Sequence, residues 1–491
     1  MKYVGAIDQG TTSSRFMIFD KKGEVVASHQ MEHEQILPQS GWVEHNPVEI
    51  INNVKICIDE ALRKSGISAS DLASIGITNQ RETVVAWDKS TGAPLYNAIV
   101  WQDLRTQSFF EKLDSTSGEY LKKSSGLALA PYFSGSKMGW LISQVPTVAT
   151  AHSENKLMLG TIDSWLLWNL SGGVFATDVT NASRTMVMNI ETAQWDSRAC
   201  EILNVPIEAL PQIKPSGEIY GHYQLDGAAI PIAAMIGDQQ SAMVGQKCFE
   251  IGSSKTTYGT GNFALVNTGT QLVRSTSGLL TTVCYQFKGE PLTYALEGSV
   301  AVTGSAIQWL RDQLGIISEA SEVEALARSV DSTEGVYFVP AFSGLFAPHW
   351  RSDARGVIVG LTRATTKAHI ARAALEAICY QTREILDAMS NDMKTPITQM
   401  RVDGGITANA LCMQIQAEIM QAQLEIPAIK ETTALGAALC AGLAVGFWSS
   451  MAELKSLGGQ DQIVTPMGDT QLAGLGFEKW KKAVSRTLDW A

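Results

Sequence analysis

Short apolar runs alternate with amphipathic stretches and glycine-rich turns along the whole chain, a pattern that predicts an α/β protein and not a sandwich or a helical bundle. Lys2–Ile7, Arg15–Phe19 and Val25–His29 read as strands, the last two joined by the polar turn Asp20-Lys21-Lys22-Gly23. Asn46-Pro47 then opens a helix, with Glu49 three residues after the asparagine in a capping-box-like spacing. Ile51, Val54, Ile58 and Leu62 share one helical face, and Gly66 supplies the stop. Further strands are predicted at Ser74–Thr78, Val84–Asp88, Ile232–Ile236 and Arg401–Asp403, and helices over Ser305–Leu314, Thr366–Met389 and Leu411–Gln421.

The pattern begins twice. Asp8-Gln9-Gly10-Thr11-Thr12-Ser13-Ser14 lies between two apolar strands near the start, and Thr256-Thr257-Tyr258-Gly259-Thr260-Gly261-Asn262 lies between Ser253-Ser254-Lys255 and Phe263–Asn267 near the middle. Each reads as a glycine- and hydroxyl-rich hairpin turn opening a half of about 245 residues, within the upper range of domain sizes. The boundary is expected near Gly245–Glu250, with domains at 1–247 and 248–491, and the two halves are expected to enclose a cleft. Glycine turns are generic, so the two hairpins alone also fit a chance recurrence.

Composition narrows the ligand chemistry. With 491 residues, 45% of them hydrophobic and 18% charged, the chain is neither disordered nor fibrous. It has 38 Lys+Arg against 49 Asp+Glu, a formal net charge of −11, and so no electrostatic footprint for nucleic acid or anionic lipid. An anionic ligand must be held locally, by backbone amides, a metal ion or single side chains. The 7 cysteines form no C-x-x-C pair and read as reduced, mostly buried thiols of a cytoplasmic protein. Asp8 interrupts the N-terminal run before a signal-peptide core forms, so no secretion signal is expected and the sequon Asn181-Ala182-Ser183 reads as incidental. Thr432–Met451 carries no charge, but it is rich in Ala and Gly, and it reads as a closely packed buried helix and not as a membrane span.

No P-loop, H-E-x-x-H or protein-kinase signature is present, and Gly259-x-Gly261 lacks the third glycine of a dinucleotide loop. What remains is a set of polar residues at predicted strand ends, where α/β sheets hold ligands. Asp8 precedes Gly10 and four consecutive hydroxyl residues. A carboxylate beside closely approaching amides suits a Mg²⁺-bound polyphosphate, and Thr260 at the second hairpin suits the same phosphates from the other side. Asp238, after the strand ending Ile236-Gly237, is placed either as a general base or as a helix N-cap. Arg81 and Glu82 follow an apolar strand and offer a donor fork and an acceptor to a polyhydroxyl ligand, although such pairs also occur on solvated surfaces. Trp101, Tyr132 and Phe263 are candidate apolar walls or core residues.

Taken together, these stretches resemble the glycerol kinases, a branch of the sugar-kinase family that shares the actin/Hsp70-type ATPase fold. The matching motifs run nearly end to end, and the discriminating ones are Asn79-Gln80-Arg81-Glu82-Thr83 and Gly237-Asp238-Gln239-Gln240. Others are Gly41-Trp42-Val43-Glu44-His45, Thr180-Asn181-Ala182-Ser183-Arg184-Thr185, Tyr258-Gly259-Thr260-Gly261 and Arg401-Val402-Asp403-Gly404-Gly405. The resemblance implies two duplicated actin-like (ribonuclease H-like) domains around a central cleft, and ATP-dependent phosphorylation of glycerol to sn-glycerol 3-phosphate. It implies that Arg81, Glu82, Tyr132, Asp238 and Gln239 bind glycerol, that Trp101 and Phe263 cover its carbons, and that Asp238 is the base. Thr11, Thr12, Ser13 and Arg15 are implied on the phosphate side of ATP. Thr260, Gly304, Gln308, Gly405 and Asn409 are implied on the second-domain side, with Asp8 and Asp238 at Mg²⁺.

The chain departs from the family pattern at Leu104, where a second arginine is usual beside Arg105, and at Phe346 and His349, where glycine and tyrosine are usual. The first removes a cation expected near the glycerol pocket. In some bacterial members an arginine-bearing glycine-rich loop before the Gly-Asp-Gln-Gln motif binds fructose 1,6-bisphosphate at a subunit contact. Here that stretch is Gln224–Pro231, with Asp226 and no arginine. A homo-oligomer, dimer or tetramer, is expected, with no nucleic-acid partner and no stable membrane insertion. Two other readings remain: a kinase for a longer polyol or ketose on the same fold, and a non-catalytic ATP-dependent sugar sensor.

Overall fold

The computed structural model describes residues 2–491. In the first half, β1 (Tyr3–Gln9), β2 (Ser13–Phe19) and β3 (Val25–Glu32) form an antiparallel meander. Helix α1 (Pro47–Ser65) follows, then β4 (Leu72–Asn79), β5 (Gly217–Leu225) and β6 (Ala228–Gly237). The sheet order is β5-β6-β4-β1-β2-β3, with β1, β4 and β6 parallel. Helix α2 (Asp238–Gly245) leaves the end of β6 directly.

The second half repeats this plan. Strands β7 (Ser254–Tyr258), β8 (Asn262–Gly269), β9 (Leu280–Tyr285) and β10 (Thr293–Val300) are followed by helices α3 (Gly304–Asp312) and α4 (Lys367–Met393). Then come β11 (Gln399–Gly404), α5 (Ala410–Met420), β12 (Gln423–Ile426), α6 (Thr432–Ala444) and β13 (Gln462–Val464). The order is β9-β10-β8-β7-β11-β12-β13, with β7, β11 and β12 parallel. In both sheets the first strand of the half has an antiparallel partner on one side and a parallel one on the other, so the duplicated α/β architecture expected from the two hairpins is present.

Between the two sheets lies one apolar layer. It joins Val4, Ala6 and Ala234 of the first sheet to Leu265, Cys284 and Ala295 of the second through α6, whose Ala434–Ala441 run is entirely buried. This is the packed small-residue helix predicted within Thr432–Met451, and it is 13 residues long. Glycine is required where α6 crosses α2: a Cβ on Gly436 would run into the Ser241 carbonyl, and one on Gly245 into the Thr432 carbonyl. Gly442 faces the Trp448 ring, and Gly446 turns at φ 73 beyond the helix end. No helix among the described residues is long and apolar enough to cross a membrane.

Local corrections have local causes. Asn46 caps α1 through Val48 N and Glu49 N, but the Glu49 carboxylate accepts from Glu34 N in place of closing a capping box. Thr256–Tyr258 belong to β7 and not to a turn, because their backbones pair with both β8 and β11, leaving only Gly259–Gly261 at the tip. Thr366 is the N-cap of α4, whose reciprocal partner is His369, and the helix runs on to Met393. Val84–Asp88 joins a separate four-stranded sheet with Glu44–His45, Ala98–Ile99 and Leu157–Thr161. Asn181 of the sequon is buried in a reciprocal amide pair with Asn79, which leaves no room for a glycan.

Candidate active site

The parallel register brings the carboxyl ends of three strands level, pairing Gln9 with Asn79 and Asn79 with Gly237. In the second sheet Tyr258 pairs with Gly404 in the same way. The ligand edge of each sheet therefore carries the predicted polar residues.

Just beyond β4, the chain turns sharply. Thr83 N donates to Arg81 O at 2.8 Å, and Glu82 between them has φ 64, a conformation that costs a non-glycine residue free energy and recurs at functional sites. The turn sends the two side chains inward and not onto a solvated surface: both are buried. Arg81 donates to Glu297 Oε2 at 2.6 Å and Oε1 at 3.1 Å and to Gln240 Oε1 at 3.2 Å, and its Nε lies 3.2 Å from Asp238 Oδ1. Arg184 donates to Glu82 Oε1 at 2.6 Å and to Glu297 Oε1 at 2.9 Å. Lys255 donates to Gln239 Oε1 at 2.6 Å.

The cluster balances Arg81, Arg184 and Lys255 against Glu82, Glu297 and Asp238. Burial disfavours every charge in it, and the outcome depends on pairing. Glu297 receives two guanidinium groups, which overcome burial and hold its carboxyl at about 2. In Glu82 burial prevails over Arg81 and Arg184, and the carboxyl is raised. Asp238 is also raised, by burial first and with a contribution from the Asp8 charge, against the pull of Arg81 and Lys255. Burial brings Lys255 down to about 8.

Asp238 is the first residue of α2, and the N-cap is Gly237, with no side-chain cap. Its Oδ1 accepts from Gln239 N at 2.7 Å, so the carboxylate meets the helix terminus without taking the N-cap position. The side chain is 32% exposed, the most open of the six charged groups. A Cβ on Gly237 would collide with the Arg81 side chain, which shows how closely the two motifs pack. Trp101 lies edge-on to Tyr132 at 5.4 Å and to Phe263 at 6.5 Å, while the Arg81 guanidinium sits 6.0 Å from the Phe263 ring centre. Lys137, brought down by burial to about 7, donates to the carbonyls of Pro131, Tyr132 and Phe133 and fixes the backbone that carries Tyr132.

At the first hairpin, Thr11 accepts the Trp101 indole N–H at its hydroxyl, 3.0 Å away, and bonds from His33 and Gln35 at its carbonyl. Thr12 is exposed at the tip beside Ser13. Arg15 is drawn onto Asp8 Oδ2 and Glu431 Oε2, each at 2.7 Å, and so ties the first half to the loop before α6. At the second hairpin, the first amides of α3 are engaged by the hairpin itself: Thr303 N and Ser305 N donate to Thr260 O, and Gly304 N to Gly259 O. Gln308 is exposed on α3, Gly405 is exposed with open space where a Cβ would point, and Asn409 caps α5 through Cys412 N.

Glu297, Arg184, Lys255, Lys137 and Gln240 were not singled out from the sequence. The available signals were a lone carboxylate in the apolar run Tyr294–Val300 and a lysine directly before the second hairpin. Of the departures from the family pattern, Leu104 is 55% exposed, and Arg105 is held by Asp103 and Glu44 beneath Trp42. Phe346 stacks on Trp350, and His349 reaches Glu384 at 3.1 Å.

Two duplicated actin-like domains, each presenting a glycine hairpin at its ligand edge, with a partly open carboxylate among buried ion pairs, define a two-domain kinase of the actin-like class. The chain belongs to the FGGY family of carbohydrate kinases, whose N-terminal domain matches residues 3–245 and whose C-terminal domain matches residues 254–445. Within that family it is 55% identical to the glycerol kinase of Mycolicibacterium gilvum over 99% of each chain. It is 54% identical to that of Chloroflexus aurantiacus over 100% of this chain and 99% of the relative. The crystal structure of Plasmodium falciparum glycerol kinase with ADP superposes with a TM-score of 0.93 at 40% identity, covering 99% of this chain and 98% of that one. A xylulose kinase from Lactobacillus acidophilus, at 20% identity and a TM-score of 0.86, shares the fold.

Proposed function

We propose that this chain transfers the γ-phosphoryl group of ATP to a terminal hydroxyl of glycerol, giving sn-glycerol 3-phosphate, with Asp238 as general base. Use of ATP follows from membership of a kinase family. The observation that carries the reading is Asp238, a raised and partly exposed carboxylate next to Arg81, whose guanidinium in turn lies 6.0 Å from the Phe263 ring of the Trp101–Tyr132–Phe263 cluster. The end-to-end identity to glycerol kinases supports the choice of substrate.

In this mechanism Arg81, Glu82, Tyr132, Asp238 and Gln239 bind the hydroxyl groups, and Trp101 and Phe263 cover the carbon side. Wrong hydroxyl patterns leave buried donors unpaired, so a site of this kind is selective. Asp238 takes the proton of the attacking hydroxyl as its oxygen bonds to the γ-phosphorus and the bond from that phosphorus to the bridging oxygen breaks, releasing ADP. A raised carboxyl pKa suits it to that exchange. Phosphoryl transfer depends chiefly on alignment and charge neutralisation. Thr11, Thr12, Ser13 and Arg15 serve the phosphate side, Arg15 through its hold on Asp8, and Thr260, Gly304, Gln308, Gly405 and Asn409 serve the nucleotide on the second half.

The residues present fit a hard cation and a polyphosphate. Asp8 has one carboxylate oxygen outside its Arg15 bond, Asp238 has one outside its bonds to Arg81 and Gln239, and a Cβ on Gly405 would meet nothing within 4 Å. Asp8 and Asp238 would hold Mg²⁺, which when bound neutralises phosphate charge. The reading also includes a cytoplasmic enzyme, supported by seven buried unpaired thiols, and a homo-oligomer, checked by size-exclusion chromatography.

The test is coupled ADP release with glycerol, xylulose, ribulose and gluconate offered in turn. Glycerol is expected to give the highest kcat/KM. A preference for a pentulose or gluconate would overturn the assignment in favour of a longer polyol or ketose, and no turnover with any of them would favour a sensor.

A further inference from the structure

Gln239 and Lys255 stand on opposite halves of the chain, at the first turn of α2 and near the start of β7. The Lys255 side chain is fully buried and donates to Gln239 Oε1 at 2.6 Å and to Thr257 Oγ1 at 2.9 Å. No carboxylate of the described residues lies within ion-pair distance of it, so only two neutral oxygens touch the ammonium, and the charges of Asp403 and Asp238 act on it from farther away. That is an expensive way to fill a strand position that a methionine would occupy without penalty. An ammonium has three donors and no acceptor, and it can face only the oxygen end of an amide. The Gln239 amide nitrogen is therefore turned away from Lys255, and it makes no hydrogen bond to any described residue.

We propose that Lys255 is a positioning residue for the substrate: it locks the Gln239 amide with its nitrogen toward the substrate, so that an N–H donor is presented to a glycerol hydroxyl. The inference rests on the glycerol-kinase reading of the site and deepens it. Because Lys255 lies on the strand that runs into the Gly259–Gly261 tip, the lock also ties substrate recognition in the first half to the hairpin of the second. A freely rotating glutamine would spend part of its time with oxygen toward the hydroxyl, where it can only accept and the N–H donor is lost. The lock removes that alternative before the substrate arrives, which is preorganisation of the binding group.

The test compares Lys255→Met, Gln239→Ala and the double variant in the full chain, with steady-state kinetics for both substrates. Lys255→Met is expected to raise the glycerol KM about 10- to 100-fold, the range for leaving a buried polar partner unsatisfied, and to change the ATP KM less than about 2-fold. The two substitutions are expected to be non-additive, the double variant matching Gln239→Ala, because Lys255 acts through Gln239. Multiplying effects, or equal losses for glycerol and ATP, would overturn the inference.

Should Lys255→Met fail to fold, the wild-type pH profile decides. The charged and titratable groups facing Lys255 are Asp238 and Arg81 from the first half, Asp403 and Glu297 from the second, and the thiols of Cys248 and Cys284. Loss of the lysine proton lets the amide turn, so kcat/KM for glycerol is expected to fall above pH about 8 while that for ATP does not. A flat glycerol profile from pH 7 to 9 on the ordinary titration scale would overturn it. Absence of glycerol turnover in the wild-type chain would instead refute the underlying function, so the two failures are distinguishable.

Discussion

Replacing Glu297 with glutamine tests the buried ion cluster most directly. The carboxylate accepts from Arg81 at 2.6 Å and 3.1 Å and from Arg184 at 2.9 Å, and none of the three side chains is more than 2% exposed. Its carboxyl is held at about 2 against an ordinary 4.5, which corresponds to about 3 kcal/mol of stability at neutral pH. That agrees with the ~3–5 kcal/mol usually lost when one partner of a buried pair is removed. Glutamine keeps the shape and one acceptor, but its amide nitrogen opposes a guanidinium donor and leaves two arginines short of a counter-charge. Because the folded-state pKa is depressed, the stabilisation is present above about pH 4.5 and is lost as pH falls toward 2. Urea unfolding of wild type and Glu297→Gln across this range should therefore show a constant difference of about 3 kcal/mol at neutral and mildly acidic pH, shrinking below about pH 4.5. Subtracting the two curves removes the titration of the carboxylates outside this cluster. A difference under ~1 kcal/mol at neutral pH, the scale of an exposed pair, or one that grows on acidification would refute the reasoning.

Three further outcomes follow from the site. Asp238→Asn should lower kcat by about 10²–10⁴, the range for a general base, with ATP binding retained by calorimetry; near-normal turnover would reduce the residue to its contact with the helix terminus. Asp8→Ala should weaken Mg²⁺-dependent use of the nucleotide more than glycerol binding, as measured by Mg²⁺ titration of the initial rate, whereas equal losses would mean a collapsed hairpin. Fructose 1,6-bisphosphate at millimolar levels should leave the rate unchanged, because Gln224–Pro231 closes as a two-residue turn at Asp226 and Gly227, φ 50 and 78, with an acidic tip and no arginine fork. Rates titrated at several protein concentrations check this, and saturable inhibition would place the cations elsewhere.

Much of the molecule was written in local pattern. The apolar strands, the Asn46 cap, the Gly66 stop and the two glycine hairpins are decisions made within a few residues, by burial period and by backbone freedom at glycine, and they form where the sequence placed them, although both hairpin turns are shorter than the sequence suggested because strand pairing takes their flanks. The motifs at strand ends were legible too, because a parallel sheet brings such ends level whatever else the chain does. The environment of each group was not legible. Whether Arg81 and Glu82 were surface or core depended on the turn at Glu82 and on Glu297, a residue more than 200 positions away across the halves. The crossing of α6 on α2, the Lys255–Gln239 bond and the opposite shifts of Glu82 and Glu297 likewise arise from neighbours brought together by the fold. Sequence period reports which face of an element is buried; the charge state of a buried group depends on partners contributed by distant strands, and only the tertiary structure supplies them.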